Sequence, residues 1–300
     1  MDLLTPKLRF QLNQLRHRWE RWLGTAQQTS QAVFTEQKMC PACRALVERG
    51  DRQCPYCGEP LRVLGTGPAA RILSRIVPTD TPFSALLLLI NLLMFGVEVA
   101  LSGGNLLRVS GRATSIGASA PLGYILATHQ YWRWVTGIFL HGGLLHIAFN
   151  MWALFDLGPL VESAYGRAKF LLVFIVTGTV GNLVASYFGH LTVGASGSLF
   201  GLLGVMITYG SRRHDQFAQQ LRSQALRWAI YAFAMGMLLP GTDNFAHLGG
   251  VLSGVAFGWL VSDHPPLTEG SIRYWQVVQW GTLSVMAAAF LFMAMAPPAL

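Results

Sequence analysis

Long apolar segments dominate the chain from about residue 83 onward, and shorter polar stretches separate them. Most of these segments reach the about 20 residues that an α-helix needs to cross the hydrocarbon core of a bilayer. The pattern predicts an all-α polytopic membrane protein. Its seven expected crossings occupy residues 83–101, 143–161, 169–189, 191–210, 226–240, 245–262 and 274–296.

The fifth segment is the weakest of the seven. It has only twelve apolar residues, from Trp228 to Leu239, between Arg227 and Pro240. Its length alone would also fit a re-entrant or buried helix. The distribution of charge favours a crossing.

Basic residues are distributed unevenly between the two sides that seven crossings would create. Nineteen of the 22 Lys and Arg residues fall on one side, and three fall in the 102–142 loop on the other. Since Lys and Arg accumulate on the cytoplasmic side, we expect a cytoplasmic N-terminus and an integral protein of a bacterial inner membrane. This topology accounts for the net charge of +8 without a nucleic-acid partner.

Residues 1–37 precede these features. Over residues 1–24, Leu and Trp recur at helical spacing among five Lys and Arg residues, and a polar linker follows. The pattern predicts a basic amphipathic helix. A helix on the inner leaflet, a helix packed on its own domain and an organelle transit peptide all remain open.

Residues 38–60 contain two C-x-x-C pairs, separated by ten residues, that use every cysteine of the chain. The four residues are Cys40, Cys43, Cys54 and Cys57. Four thiolates in this arrangement suit the closed tetrahedral site of a structural zinc ion, so we expect a small zinc ribbon. Iron is the lesser metal alternative, and two disulfides would need an oxidising compartment that the predicted topology argues against. Residues 61–82, with several Gly and Pro residues, are expected to be a linker.

Four polar residues lie near the N-terminal ends of the second, fourth and sixth apolar segments. They are His146, Asn150, Ser196 and His247. With seven crossings these three segments run in the same direction, so the four side chains share the extracytoplasmic leaflet. Polar and ionisable groups inside membrane spans are costly, which makes this a candidate functional site.

Ser196 lies in the run Gly194-Ala195-Ser196-Gly197, whose small neighbours leave its hydroxyl open. A serine nucleophile needs an adjacent base, and His247 is the candidate. No carboxylate occurs in the fourth or sixth segment, so a two-residue dyad is expected. Glycines four residues apart would let the two helices approach closely. They are Gly197 and Gly201 on one helix and Gly250, Gly254 and Gly258 on the other.

Five motifs along the chain resemble those of the rhomboid family of intramembrane serine proteases. In order, they are Trp132-Arg133; His141, His146 and Asn150; Glu162 with Gly166; Gly194-Ala195-Ser196-Gly197; and Ala246-His247 with Gly250 and Gly254. The resemblance covers residues 83–262 and implies a six-helix protease core. The ribbon lies outside it, as do residues 263–300, which carry a cytoplasmic loop and the seventh helix.

The resemblance also implies residue roles. Ser196 would be the nucleophile, His247 its base, and His146 and Asn150 the donors to the oxyanion. Their spacing of four puts His146 and Asn150 on one helix face, although spacing alone also fits two buried polar groups bonded to each other. Where some members have tyrosine one turn after the serine, this chain has Phe200, whose ring could still pack on the histidine.

Four further residues of these motifs have structural expectations. We expect His141 to be structural in its loop, and Trp132 and Arg133 to be interfacial anchors. We expect Glu162 to tie a cytoplasmic helix end.

The functional prediction is a serine endopeptidase that cleaves transmembrane segments of other proteins within the bilayer, without a catalytic cofactor. The alternative is a catalytically silent, rhomboid-like membrane-protein-binding or scaffold protein. A transporter would show paired charges at mid-membrane or inverted repeats, and neither is found in the sequence. The ribbon is expected to be a cytoplasmic docking or regulatory module with a possible cytoplasmic partner.

Overall fold

A computed structural model describes residues 37–40, 46–48, 51, 53–56, 81–107, 109, 112–213, 215–238 and 241–296. The chain divides into two compact units, one containing a strand pair and the other containing the helices. The predicted amphipathic segment within residues 1–37 lies almost wholly outside the described residues, as does the 61–82 linker up to residue 80.

The smaller unit contains a two-stranded antiparallel hairpin. Strand β1, Gln37–Met39, pairs with β2, Leu46–Glu48. Cys40 follows β1 directly, and both Cys40 and Cys54 are buried. Cys43 and Cys57 lie outside the described residues, so the predicted four-thiolate set stays a prediction.

The described residues of the larger unit form seven long helices, one at each predicted apolar segment. They are α1, Pro82–Leu101; α5, Leu144–Tyr165; α6, Arg167–Tyr187; α7, Ser196–Arg212; α8, Gln216–Leu238; α9, Asn244–Leu260; and α10, Glu269–Met295. By length and composition, α1, α5, α6 and α10 could cross a membrane. The helix at the fifth segment begins ten residues before the predicted start at 226.

Three short helices occupy the long loop between α1 and α5. They are α2, Arg112–Gly117; α3, Leu122–Thr128; and α4, Arg133–Thr136, which a 3₁₀ turn at Gly137–Phe139 follows.

Arg133 is not the interfacial anchor that its position beside Trp132 suggested. Its side chain is 2% exposed and donates hydrogen bonds to the carbonyl oxygens of Ala118, at 3.0 Å, and Ser115, at 2.7 Å. Burial lowers the pKa of the guanidinium from its ordinary value. Arg133 therefore fastens the loop internally, because unpaired buried carbonyls would be costly.

Glycine-to-glycine packing joins α7 to α9, as the four-residue spacing predicted. A methyl group at Gly250 would overlap the carbonyl oxygen of Gly197, and one at Gly254 would overlap that of Gly201. The two backbones are thus in direct contact over two turns. This contact brings the N-terminal ends of α7 and α9 side by side.

Polar contacts fasten the opposite ends of the helices. Glu162, near the end of α5, accepts hydrogen bonds from the backbone N–H groups of Phe83 and Ser84 and from the Ser84 hydroxyl. These are first-turn amides of α1 that have no partner within their own helix. The expectation that Glu162 ties a helix end is therefore confirmed.

The segment between α9 and α10 is held by two basic residues at this same end. Lys169 Nζ donates to the carbonyl oxygens of Ser262 and His264, each at 2.7 Å, and Arg213 pairs with Asp263. The pKa of Asp263 lies below its ordinary value, because hydrogen bonding and charge from Arg213 outweigh the effect of burial.

We predict that Gly254→Ala destabilises the helical unit by about 1–3 kcal/mol, since the methyl group cannot fit against the Gly201 backbone. Gly281→Ala in α10 is the matched control, because no atom lies within 4 Å of the added methyl group. The apparent melting temperature of the detergent-solubilised protein measures both. Equal melting temperatures for the two variants would contradict the packing argument.

Candidate active site

Ser196 is the first residue of α7, so the helix starts later than the apolar segment that begins at 191. The sequence had placed Ser196 as the sixth residue of its span, and the structure corrects this. The residues before it are non-helical because their backbone groups bond elsewhere. Gly194 N donates to Gly137 O at 2.8 Å, while Thr192 and Ser119 exchange two backbone hydrogen bonds of 2.9 and 3.0 Å.

Gly194 is restricted to glycine in two ways. Its φ angle of +122° lies in the region that residues with a side chain rarely adopt. A methyl group there would also lie 2.7 Å from the imidazole of His146 and 3.5 Å from Asn150 Nδ2. These two side chains therefore lie directly against the backbone that leads into Ser196.

His247 lies in the first turn of α9 and is 5% exposed. Its ring stacks on that of Phe200, with centroids 4.1 Å apart and planes at 14°. Phe200 follows Ser196 by four residues and so lies on the same face of α7. The expected packing of this phenylalanine on the histidine is confirmed.

Ser196 Oγ and the His247 ring are not joined by a hydrogen bond in the described structure. Their helices nevertheless meet at this point, since a methyl group at Gly197 would lie 3.5 Å from the Ala246 carbonyl oxygen. Catalytic hydrogen bonds are often long in unliganded enzymes and shorten when substrate binds. The geometry is compatible with a serine–histidine pair.

Asn244 is a member of the site that the sequence analysis missed. Its Oδ1 lies 3.0 Å from His247 Nδ1, and its Nδ2 donates to the Phe233 carbonyl at 3.4 Å. With Oδ1 as the acceptor, Nδ1 carries the proton and Nε2 keeps its lone pair. From the sequence no orienting group was expected, because the fourth and sixth apolar segments contain no carboxylate. An amide three residues earlier on the same helix provides the hydrogen bond instead.

The neighbouring Asp243 has a separate task. It precedes α9 as its N-cap and accepts hydrogen bonds from the backbone N–H groups of Phe245 and Ala246. Asp243 thereby stabilises the helix start that carries both Asn244 and His247.

Asn150 and His146 approach the site from α5. Asn150 is 5% exposed, and its Nδ2 has no hydrogen-bond partner in the described structure. A buried donor without a partner is costly and rare in folded proteins. The amide thus offers a hydrogen bond beside Gly194, toward the start of α7.

His141 supports this side of the site from the preceding loop. Its side chain is fully buried, its backbone N–H donates to Glu98 Oε2 at 2.9 Å, and its ring packs edge-on against that of His146 at 5.1 Å. Burial, together with the neighbouring His146, lowers the pKa of His141 to about 3, so the ring is neutral at physiological pH. These contacts agree with the structural role expected for it.

The residues that the structure describes contain no group of three or more potential metal ligands. They include only two of the four cysteines. Around Ser196 the structure instead assembles a hydroxyl, an imidazole with an orienting amide, and a buried amide donor. This set of groups suits acyl transfer through a serine nucleophile.

Comparison with known proteins gives a consistent result. A family model described as the Rhomboid domain matches residues 128–264, which include Ser196, His247, His146 and Asn150. The β1–β2 hairpin and α10 lie outside the matched range.

Similar proteins carry the same family name. Rhomboid protease GluP of Bacillus subtilis (strain 168) is 30% identical over 173 residues, which are 57% of this chain and 33% of the relative. RHOMBOID-like protein 1 of Arabidopsis thaliana is 36% identical over 146 residues, 47% of this chain and 37% of the relative. The chain thus spans about a third of the length of these two relatives.

The protein named "Putative rhomboid protease YdcA", also of Bacillus subtilis (strain 168), is 33% identical over 138 residues, which cover 45% of this chain and 69% of the relative. Taken together with four helices long and apolar enough to cross a membrane, these matches identify an integral membrane protein. The chain belongs to the rhomboid family of intramembrane proteases.

Proposed function

We propose that this protein is an intramembrane serine endopeptidase that cleaves transmembrane segments of other membrane proteins. The observation that carries the proposal is the placement of His247, stacked on Phe200 one turn from Ser196 and hydrogen-bonded through Nδ1 to Asn244. This arrangement turns Nε2 into the available base. No cofactor takes part in the proposed chemistry.

The proposed reaction proceeds in two stages. Ser196 Oγ attacks the scissile carbonyl carbon while His247 Nε2 takes the hydroxyl proton, and the same proton then passes to the leaving amine as the peptide bond breaks. Water attacks the resulting acyl-enzyme, with His247 again taking and returning a proton. Asn244 holds the imidazole in the required tautomer during both stages.

Each tetrahedral intermediate places a negative charge on the former carbonyl oxygen. Asn150 Nδ2 and the His146 ring are proposed to donate hydrogen bonds to it. The backbone N–H of Ser196 would join them, since the first amides of a helix have no partner within that helix. The unpartnered Asn150 amide supports this role.

Substrate is proposed to enter between α5 and α8. Trp152 of α5 and Trp228 of α8 meet edge-to-face at a centroid distance of 5.5 Å, and both rings are exposed. A single ring pair can separate without disturbing the glycine-packed α7–α9 contact. A substrate helix must also unwind to present its backbone, so segments with helix breakers and small residues would be preferred.

The proposed orientation follows the distribution of basic residues. A cytoplasmic N-terminus places the start of α7 toward the extracytoplasmic side of a bacterial inner membrane. Water would reach Ser196 from that side, and cleavage would occur near the extracytoplasmic end of the substrate segment.

A catalytically silent binding protein of the same fold is the alternative function. It would not need an amide that hydrogen-bonds the histidine ring near a serine flanked by small residues. The presence of Ser196 and His247 in the sequence and the Asn244–His247 hydrogen bond support the peptidase over this alternative.

The N-terminal ribbon is proposed to hold one structural zinc ion through Cys40, Cys43, Cys54 and Cys57. The described half of this set fits, since Cys40 and Cys54 are both buried and Cys40 directly follows β1. A closed four-thiolate site leaves no position for substrate. We propose that the ribbon is a cytoplasmic docking or regulatory module that takes no part in the catalytic step.

The serine–histidine pair can be tested directly. Ser196→Ala and His247→Ala should each abolish cleavage of a model transmembrane substrate, because each removes one half of the proton-transfer pair. A fluorophosphonate probe should label the wild-type protein at Ser196. Ser211→Ala, at the far end of the same helix, is the control that should keep activity. Undiminished labelling of Ser196→Ala would show that another residue is the nucleophile.

The oxyanion role predicts a loss in turnover rather than in binding. Asn150→Ala should lower kcat by about 10- to 1000-fold with a much smaller change in KM. The loss falls toward the lower end if His146 and the Ser196 amide compensate. Steady-state kinetics on folded variants provide the measurement, and unchanged turnover in His146→Ala/Asn150→Ala would rule the role out.

Loss of zinc binding should leave catalysis intact. Purified protein should contain about one zinc per chain by elemental analysis, and Cys40→Ser/Cys43→Ser should lose it because two thiolates alone bind the ion weakly. The variant should still cleave a model substrate in detergent. Loss of cleavage on metal removal, with the helical unit still folded, would contradict the separation.

A further inference from the structure

Helix α10 lies outside the segment that matches the family, yet one face of it is buried in the helical unit. The buried residues are spaced at intervals of four, three and four, which places them on one side of the helix. They are Thr282, Met286, Ala289 and Met293. Met293 lies near the C-terminal end of α10, which is close to the 102–143 loop.

Met293 forms a small hydrophobic cluster with Leu140, separate from the main core. Leu140 is fully buried, and Met293 is 6% exposed. Gly117 makes room for both, since a methyl group there would lie 2.7 Å from each side chain. Partly buried side chains that complete the cluster include Ile116, Trp132, Val193 and Phe290.

Aromatic contacts extend the same attachment. The ring of Phe290 packs against that of Phe139 with centroids 5.2 Å apart, and the ring of Phe292 stacks on Trp132 at 6.1 Å. Phe139 is itself fully buried. The end of α10 therefore contacts the loop at three residues, Trp132, Phe139 and Leu140.

The cluster reaches the loop that leads into Ser196. Val193 belongs to the cluster and immediately precedes Gly194, the residue packed against His146 and Asn150. Gly194 in turn bonds to Gly137, two residues before Phe139. A shift of Phe139 or Leu140 would thus move both the hydrophobic and the hydrogen-bonded support of this loop.

We infer that α10 is a strap that positions the nucleophile loop, residues 189–195, with Met293 as its main positioning residue. The inference rests on the proposed peptidase function for its kinetic consequence, but not for its structural one. Small displacements of reacting groups cost large factors in rate, so the strap acts on turnover. The seventh helix is in this way part of the machinery that aligns Ser196.

The kinetic test compares three full-length variants on a model transmembrane substrate. Met293→Ala should lower kcat by about 10- to 100-fold and leave KM nearly unchanged, because the nucleophile is misplaced while the substrate path is intact. Met293→Leu, which conserves volume, should restore most of the turnover. Leu291→Ala, at a position that is 60% exposed, is the matched control and should behave as wild type. Wild-type kcat in Met293→Ala, or equal losses in Met293→Ala and Leu291→Ala, would overturn the inference.

A second measurement does not depend on activity. In a Ser196→Ala background, Met293→Ala should accelerate amide hydrogen exchange at Thr192 and Gly194 by about 10-fold or more, since loss of the cluster exposes their hydrogen bonds. Residues 197–204, held by the α7–α9 glycines, should keep their protection. Uniform acceleration throughout the helical unit would reduce α10 to a general stabiliser and overturn the inference. If the wild type cleaves nothing, the exchange result still decides whether the strap exists.

Discussion

Direct backbone contact between α7 and α9 is the constraint on which the site depends. Lipid surrounds a membrane protein with an apolar solvent, so helices associate through close packing rather than through burial of apolar surface from water. Gly250 and Gly254 permit this packing because a side chain at either position would occupy the space of a carbonyl group on α7. The contact fixes the relative height of two helix starts. It thereby sets where Ser196 stands beside His247, while the neighbouring helices supply the remaining groups.

Four of the long helices, α1, α5, α6 and α10, were predictable because the bilayer imposes a minimum apolar length and these helices satisfy it. Helices α7, α8 and α9 do not satisfy it and were located by their apolar segments. Their ends were not, because local hydrogen bonds decide them. Helix α7 begins five residues after the start of its apolar segment, since Thr192 and Gly194 bond to a distant loop instead of to their own helix. Helix α8 begins within a polar stretch, where an apolar pattern gives no sign of a helix. The apolar pattern therefore located the seven long helices of the described residues, and tertiary hydrogen bonds set the start of α7.

The candidate site could likewise be predicted only in part. Ser196, His247, His146 and Asn150 could be picked out because polar groups are conspicuous in apolar segments, and the structure places them within the first two turns of α5, α7 and α9. Asn244 escaped notice because a polar residue at a helix start resembles an ordinary cap. Arg133 was misjudged because an arginine beside a tryptophan resembles an interfacial anchor, whereas its partners are carbonyl groups 15 and 18 residues earlier. Contacts made across loops leave no periodic trace in the sequence.

The amide of Asn244 has an electrostatic consequence. Soluble serine proteases place a buried aspartate behind the histidine, and its permanent negative charge is tolerated in a water-adapted protein. A lone carboxylate transferred to surroundings of low dielectric constant loses its hydration at great cost. Asn244 orients the same imidazole nitrogen while contributing no formal charge. In the proposed mechanism the resting centre is then electrically neutral, and charge separation is confined to the brief interval in which a proton resides on His247.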